Sequence, residues 1–227
     1  MTHEEFSKQL TKLVNNYRPD PEVQEHIHKL VLLMIIGPSG AGKTSLIDRL
    51  DFPYVISDTT RAPRPDEQEG ADYYFRTDYE KIVDEIRSRS FAQIAVDSGG
   101  DLKATRDISY PATGTAVMAV VSDVVPTFRR LGFRKTISAF VVPPSYEEWT
   151  RRMAVHPVTD DQRSKRLAEA RRSFEFALND KQTHFIFNDV LDEAVRQLED
   201  LVDGKADLEH EAQGRAAARS ILDELSR

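Results

Sequence analysis

An α/β fold layered around a parallel sheet is predicted by three observations in this chain of 227 residues. Leu30-Val31-Leu32-Leu33-Met34-Ile35-Ile36 is a continuous apolar run without alternation, the pattern of a strand buried on both faces of a parallel sheet. Strand-like runs alternate with helical patterns through most of the chain beyond Ile36, as in repeated βα units. Between the first run and the next helical pattern (Ser45-Leu46-Ile47-Asp48-Arg49-Leu50) lies Gly37-Pro38-Ser39-Gly40-Ala41-Gly42-Lys43-Thr44, which is G-x-x-x-x-G-K-[ST] with no mismatch.

Along the chain, Phe6, Leu10, Leu13 and Tyr17 recur at helical spacing over residues 4–17, and Arg18-Pro19-Asp20-Pro21 breaks that helix. A second helix over 22–29 leads into the first strand, so residues 1–29 read as a helical extension packed on the main domain. Further strands are expected at 54–57, 91–96, 116–121, 137–142 and 184–187. The stretch 60–114, rich in Gly, Asp, Arg and Tyr, fits the alternation less well and reads as a small separate lobe (about 58–114). Residues 144–178 read as helical with a break near His156-Pro157, and their later apolar stripe is Leu167, Ala170, Phe174 and Ala177. A helix over 192–202, a stop at Gly204 and a charged helix over 206–227 complete the chain.

Composition narrows the function. The chain has no cysteine, which excludes disulfides and thiolate zinc sites. Its net charge is −7, which argues against nucleic acid or an anionic membrane as partner. The N-terminus is acidic and polar, unlike a secretory signal, and no apolar run is long enough to span a bilayer, so a cytoplasmic protein is expected. The six histidines are scattered, a poor pattern for a metal site. Trp149 reads as a packing residue.

The strand–loop–helix context makes residues 37–44 a phosphate-binding loop and the fold a P-loop NTPase three-layer sandwich. Glycines let backbone N–H groups wrap a phosphate chain, and the adjoining helix adds the positive end of its dipole. A nucleoside triphosphate is therefore expected against Gly37, Ser39, Gly40, Ala41, Gly42, Lys43, Thr44 and Ser45, with Lys43 reaching the β- and γ-phosphates and the Thr44 hydroxyl holding Mg²⁺.

A second constellation begins at Ser57: Ser57-Asp58-Thr59-Thr60-Arg61-Ala62-Pro63-Arg64, then Glu67, Gly70 and Asp72-Tyr73-Tyr74-Phe75. Arginine forks suit bidentate phosphate contacts. This S-x-T-T-R-x-P-R…D-Y-x-F segment resembles the monophosphate-binding segment of the guanylate kinase family. Downstream, Pro143–Arg152 resembles the strand end and helix before that family's lid, Lys165–Ala170 its returning helix, and Asn188-Asp189-Val190-Leu191-Asp192-Glu193-Ala194 the family's N-D-D-L-D-x-A near the adenine site. The resemblance covers roughly residues 30–203, and the lid falls at about 150–170. It implies that Ser57, Arg61, Arg64 and Tyr73 grip the acceptor phosphate, that Glu67 orients the arginines, that Arg152 and Arg166 are lid arginines, that Asn188 lies against adenine, and that Asp123 matches the second aspartate of a D-x-D segment.

The departures fall where the family chooses its base. The family's F-x-E is Phe91-Ala92-Gln93 here, its Y-G-[ST] is Lys103-Ala104-Thr105, the first aspartate of D-x-D is Val121, and the lid's R-G-x-T is replaced by Val155-His156-Pro157-Val158-Thr159. Arg163, one helical turn before Arg166, is the candidate replacement for the lost lid arginine. A carboxylate accepts both donors of guanine's Watson–Crick edge, whereas the Gln93 amide offers one acceptor and one donor group. The resemblance thus implies ATP-dependent phosphoryl transfer to a (deoxy)nucleoside monophosphate, with GMP or dGMP the leading acceptor, Gln93 and Thr105 in the acceptor site, nucleotide substrates as partners, and a monomer or homodimer. A non-catalytic binding module and a kinase for a phosphorylated sugar stay open as alternatives.

Overall fold

The computed structural model describes residues 1–64, 67–97, 99–154 and 159–226. In chain order the elements are α1 (His3–Val14), α2 (Pro21–Ile27), β1 (Leu30–Ile36), α3 (Lys43–Ile47), β2 (Ser57–Thr59), β3 (Tyr73–Phe75), α4 (Tyr79–Arg87), β4 (Phe91–Val96), β5 (Leu102–Arg106), β6 (Gly114–Ala119), α5 (Val125–Arg129), β7 (Lys135–Val142), α6 (Tyr146–Met153), α7 (Asp160–Asn179), β8 (Thr183–Phe187), α8 (Leu191–Val202) and α9 (Leu208–Leu225). They form two compact units. One comprises Met1–Val31, Pro53–Ala116 and Phe128–Lys135; the other comprises Leu32–Phe52, Val117–Thr127 and Thr136–Arg227.

The second unit is built on the sheet β6-β1-β7-β8. Every residue of β1 is buried, as its unbroken apolar run requires, and β7 and β8 pair in parallel. Phe140 on β7 meets Phe174 of α7 and Phe185 of β8, with centroids 5.3 and 5.9 Å apart. Trp149 of α6 stands edge-on to Phe174 and is wholly buried. At the end of the sheet order, the backbone N–H of Phe187 donates to Gln197 Oε1 (3.1 Å) and the Gln197 amide donates to the Phe187 carbonyl (3.2 Å). A glutamine side chain from α8 therefore completes backbone pairing on β8. Helix α9 lies against the same strand, with a Cβ at Gly214 only 3.0 Å from that of Phe185 and the Arg215 guanidinium 4.4 Å from the Phe185 ring.

The first unit carries the small sheet β3-β2-β5-β4. β2 pairs in parallel with β3 and antiparallel with β5, and β5 pairs antiparallel with β4. The strand expected at 54–57 forms its ladder at Ser57–Thr59, in this sheet: Val55 is buried, but burial of that short apolar piece does not by itself make a ladder. Helix α1 also differs from expectation. Its apolar stripe packs on the small lobe, where Phe6 and Leu10 join Ile82, Val83, Ile86, Phe91, Ile94 and Leu102 in one core. The matching apolar surface is on α4, whose Ile82, Val83 and Ile86 repeat at helical spacing.

Beneath the sheet a buried carboxylate ties the lobe together. Asp58 accepts from Arg76 (2.8 Å) and Arg106 (3.0 Å), and Arg76 also donates to Glu85. Asp58 has no solvent exposure; burial pushes its carboxyl above the ordinary value while the two guanidiniums pull the other way. Phe6 is fully buried and stacks on Tyr79 at 4.6 Å. Phe6→Ala should lower unfolding free energy by about 3–5 kcal/mol, read as a lower midpoint in urea denaturation.

Candidate active site

β1 ends at Ile36, and the chain turns at once into the glycine loop. Gly37 has φ +147° and a Cβ there would lie 2.8 Å from the Val141 carbonyl oxygen. Gly42 has φ +95°, and a Cβ would meet Asn188 Nδ2 at 2.5 Å. Neither position has room for a side chain, so the loop's path is set by glycine as well as by its contacts.

The loop carbonyls are held from inside. Lys43 Nζ donates to Gly37 O (2.7 Å) and Pro38 O (2.9 Å), the Trp149 indole N–H to Ser39 O (2.8 Å), and the Asn188 amide to Ala41 O (2.8 Å). In a trans peptide the N–H points opposite the C=O, so the N–H groups of Ser39, Gly40 and Gly42 face away from these donors, as in an anion-binding nest. The Gly37 oxygen precedes Pro38, which has no N–H, and the Ala41 N–H is spent on the Pro38 carbonyl (3.2 Å). Helix α3 begins at Lys43 with Gly42 as N-cap and no side-chain cap, leaving its leading amides to an anion. Burial pushes the Lys43 ammonium down to about 8, against the pull of the Glu169 carboxylate. Thr44 and Ser45 are on the first turn of α3, and the Thr44 hydroxyl is a hard oxygen donor of the kind Mg²⁺ takes.

Arg152 on α6 stands beside this loop. Its Nε donates to Glu148 Oε1 (2.7 Å), its Nη1 to the Asn188 carbonyl (3.2 Å), and Nη1 lies 4.0 Å from where a Cβ on Gly42 would be. Hydrogen bonds from Arg151 and Arg152 hold the Glu148 carboxyl at about 2. Arg166 is half-buried on α7, and Arg163 is exposed on the same helix. Val155, His156, Pro157 and Val158 of the lid segment lie outside the described residues; Thr159 caps α7 through a capping box with Gln162. Asp123 is exposed after β6 and accepts from the Ser122 hydroxyl at 3.4 Å.

In the first unit the small sheet gathers the acceptor candidates by register. Ser57 pairs with Tyr73, Thr59 with Phe75 and Lys103, and Gln93 with Thr105. Side chains alternate along a strand and paired residues share a face, so Ser57, Thr59, Tyr73, Gln93, Lys103 and Thr105 project from one face. Asp58 and Arg106 project from the other. Arg61 lies beyond the end of β2 and is held bidentate by Glu67, with Nη1 at 2.6 Å from Oε2. Its guanidinium lies 5.0 Å from the Tyr73 ring centroid. Glu67 also accepts the Arg64 backbone N–H at 2.8 Å. Burial raises the Glu67 carboxyl, but the Arg61 hydrogen bonds and the Arg64 amide prevail and hold it below its ordinary value. The Arg64 side chain is exposed.

Several of these residues make contacts within the protein that the sequence does not signal. Asn188 is 4% exposed and its amide braces the loop, so its side chain lies against Ala41 and Gly42; nothing in the spacing separates that position from one facing a base. Thr105 is fully buried and shares a hydrogen bond with the Tyr110 hydroxyl (3.1 Å). The indole bond of Trp149 to the loop is not legible in the sequence, because a tryptophan at helical spacing reads as core and only the fold brings Ser39 to its N–H. The bulge between Phe91 and Gln93 likewise has no sequence signal. The Tyr17 hydroxyl accepts the Phe91 N–H (2.9 Å) and donates to the Phe91 carbonyl (2.6 Å) at that bulge.

A profile of the guanylate kinase family, described as "Guanylate kinase", matches residues 29–205. The chain is 33% identical over 192 residues to a guanylate kinase of Anaeromyxobacter dehalogenans, covering 81% of this chain and 84% of the relative. It is 32% identical over 185 residues to one from a Synechococcus strain, covering 75% and 81%. A crystal structure of guanylate kinase from Anaplasma phagocytophilum shares the fold with a TM-score of 0.54 at 21% identity, covering 77% of this chain and 85% of that one. Among the described residues no helix is long and apolar enough to cross a membrane.

The loop bracing yields a prediction. Trp149→Phe keeps a ring in the aromatic cluster but removes the donor to Ser39 O. Calorimetric titration should show ATP binding weakened roughly fivefold, the worth of one neutral hydrogen bond of about 1 kcal/mol.

Proposed function

The chain belongs to the guanylate kinase family, and from that membership we propose that it transfers the γ-phosphoryl group of ATP to the phosphate of GMP or dGMP. It is a nucleoside monophosphate kinase. The observation that carries the acceptor reading is the single sheet face bearing Ser57, Tyr73, Gln93 and Thr105, with Arg61 held beside it by Glu67.

In the proposed reaction, an oxygen of the acceptor phosphate bonds to the γ-phosphorus as the bond to the β–γ bridging oxygen breaks, and ADP leaves. The second pKa of a phosphate monoester is near 6, so the acceptor is largely dianionic at neutral pH and needs no strong base. The task for the protein is to hold two mutually repelling anions and to offset charge in the transition state. The braced loop amides and Lys43 would bind the donor phosphates; Arg61 and Arg64 would hold the acceptor phosphate; Arg152 and Arg166 would add charge around the transferring group. Mg²⁺ held through Thr44 would neutralise charge between the β- and γ-phosphates. Lid closure would keep water from the γ-phosphorus.

A second acceptor reading, a monophosphate with a different base, is favoured by Gln93. It is 8% exposed and stands opposite Thr105 where a carboxylate would serve guanine better. An ADP-release assay with Mg-ATP against ribo- and deoxynucleoside monophosphates and ribose phosphates separates these readings, and binding of ATP without turnover on any acceptor would favour a module without catalysis.

Four outcomes are expected. Lys43→Ala should abolish turnover, whereas Arg64→Ala should chiefly raise the acceptor KM. Gln93→Glu should raise kcat/KM for GMP by roughly tenfold, the value of a recovered hydrogen bond to a charged acceptor. Because the charged form of Lys43 binds phosphate and is lost as pH rises through about 8, ATP KM should climb above that pH by up to about tenfold per unit.

A further inference from the structure

Lys103 stands where the family's segment has its tyrosine, and the structure gives it surroundings of its own. β5 carries it onto the face shared with Ser57, Thr59 and Tyr73, in register with Thr59. Its ammonium donates to Thr59 Oγ1 at 2.8 Å and lies 4.8 Å from the Tyr73 ring centroid. The Arg61 guanidinium lies 5.0 Å from the same ring. Two cations thus share one aromatic ring, and a phosphate is the ligand that relieves this crowding. Thr105 and its partner Gln93 are one side-chain period along β5, about 7 Å away at two residues' rise. That offset separates a phosphate end from a base end.

We propose that Lys103 is a third cation of the acceptor-phosphate site, binding the monophosphate dianion together with Arg61 and Tyr73. The proposal rests on the nucleoside monophosphate kinase reading and adds a ligand at a position where the family's Y-G-[ST] segment has a neutral hydroxyl.

Electrostatics agree with that geometry. Burial, and then the neighbouring Arg61, push the Lys103 ammonium down to about 8, while Asp97, Asp101 and Glu67 pull it up. Asp101 is itself engaged by Thr60 (2.8 Å) and His3 (3.0 Å), and Glu67 by Arg61. A bound dianion raises the ammonium again, so acceptor binding takes up a proton above about pH 8.

The test is steady-state kinetics of Lys103→Met and Lys103→Arg beside the wild type, with whichever monophosphate the wild type turns over. Lys103→Met should raise the acceptor KM tenfold or more, as loss of a charge-assisted contact predicts, and leave the ATP KM unchanged. Lys103→Arg should keep the acceptor KM within about threefold and abolish the rise in that KM above about pH 8, because guanidinium does not titrate there. An unchanged acceptor KM in Lys103→Met overturns the proposal. So does an equal loss in both variants, or a parallel rise in ATP KM, since either marks a structural role. If the wild type turns over no monophosphate, the kinase reading fails separately, and calorimetry with GMP then decides Lys103 alone: weaker binding to Lys103→Met than to Lys103→Arg supports the site, and equal binding overturns it.

Discussion

The inward hold on the glycine-loop carbonyls is the constraint on which the catalytic unit depends. A loop rich in glycine has the conformational freedom to wrap an anion, but that freedom is an entropic cost unless something fixes one path. Here Lys43, Trp149 and Asn188 fix it by taking the oxygens of Gly37, Pro38, Ser39 and Ala41. Each brace comes from a different element: α3 itself, α6, and the segment after β8. The parallel sheet supplies the registration, because Asn188 is in turn fixed by its N–H on the Val142 carbonyl (2.8 Å). The loop is thus preorganised by the core of its own unit.

The small lobe solves a different problem. It must aim cationic donors at one face of a small sheet while its carboxylates stay paired. The two faces divide the work: Asp58, Arg76, Glu85 and Arg106 neutralise one another away from the site, while Arg61 keeps its charge next to Tyr73 under the orienting grip of Glu67. That grip leaves the arginine's direction fixed by a partly buried carboxylate, which limits the reorganisation needed when an anion binds.

Sequence is most informative where chemistry and backbone needs coincide. Gly37, Gly42, Lys43 and Thr44 are legible because a phosphate loop admits few alternatives, and Arg61, Glu67 and Tyr73 because their order carries the family resemblance. Ranges for β1, β4 and α8 emerge from unbroken or periodic apolar runs. The contacts that sequence leaves unseen share a cause. Trp149 and Asn188 are placed by loop carbonyls distant in the chain, and Thr105 by the Tyr110 hydroxyl; side-chain pairing of that kind leaves no local pattern. Lys103 looks like the loss of a tyrosine because strand register, which brings it to Thr59 and Tyr73, is invisible until β2 and β5 are paired. The N-terminal helix is legible as amphipathic, but its amphipathic pattern names no partner.

The glutamine on the last strand has a consequence for association. β8 ends the sheet, and a sheet's last strand offers unpaired backbone groups to any other chain that can extend the ladder. Gln197, 6% exposed, meets both backbone groups of Phe187 with one amide, and α9 packs close on Phe185 and Phe187. The family match stops at residue 205, before α9 begins, so a fragment trimmed to the matched segment would uncover this strand. Helix α9, residues 208–225, thus bears on how this strand meets other chains, a colloidal matter rather than a catalytic one.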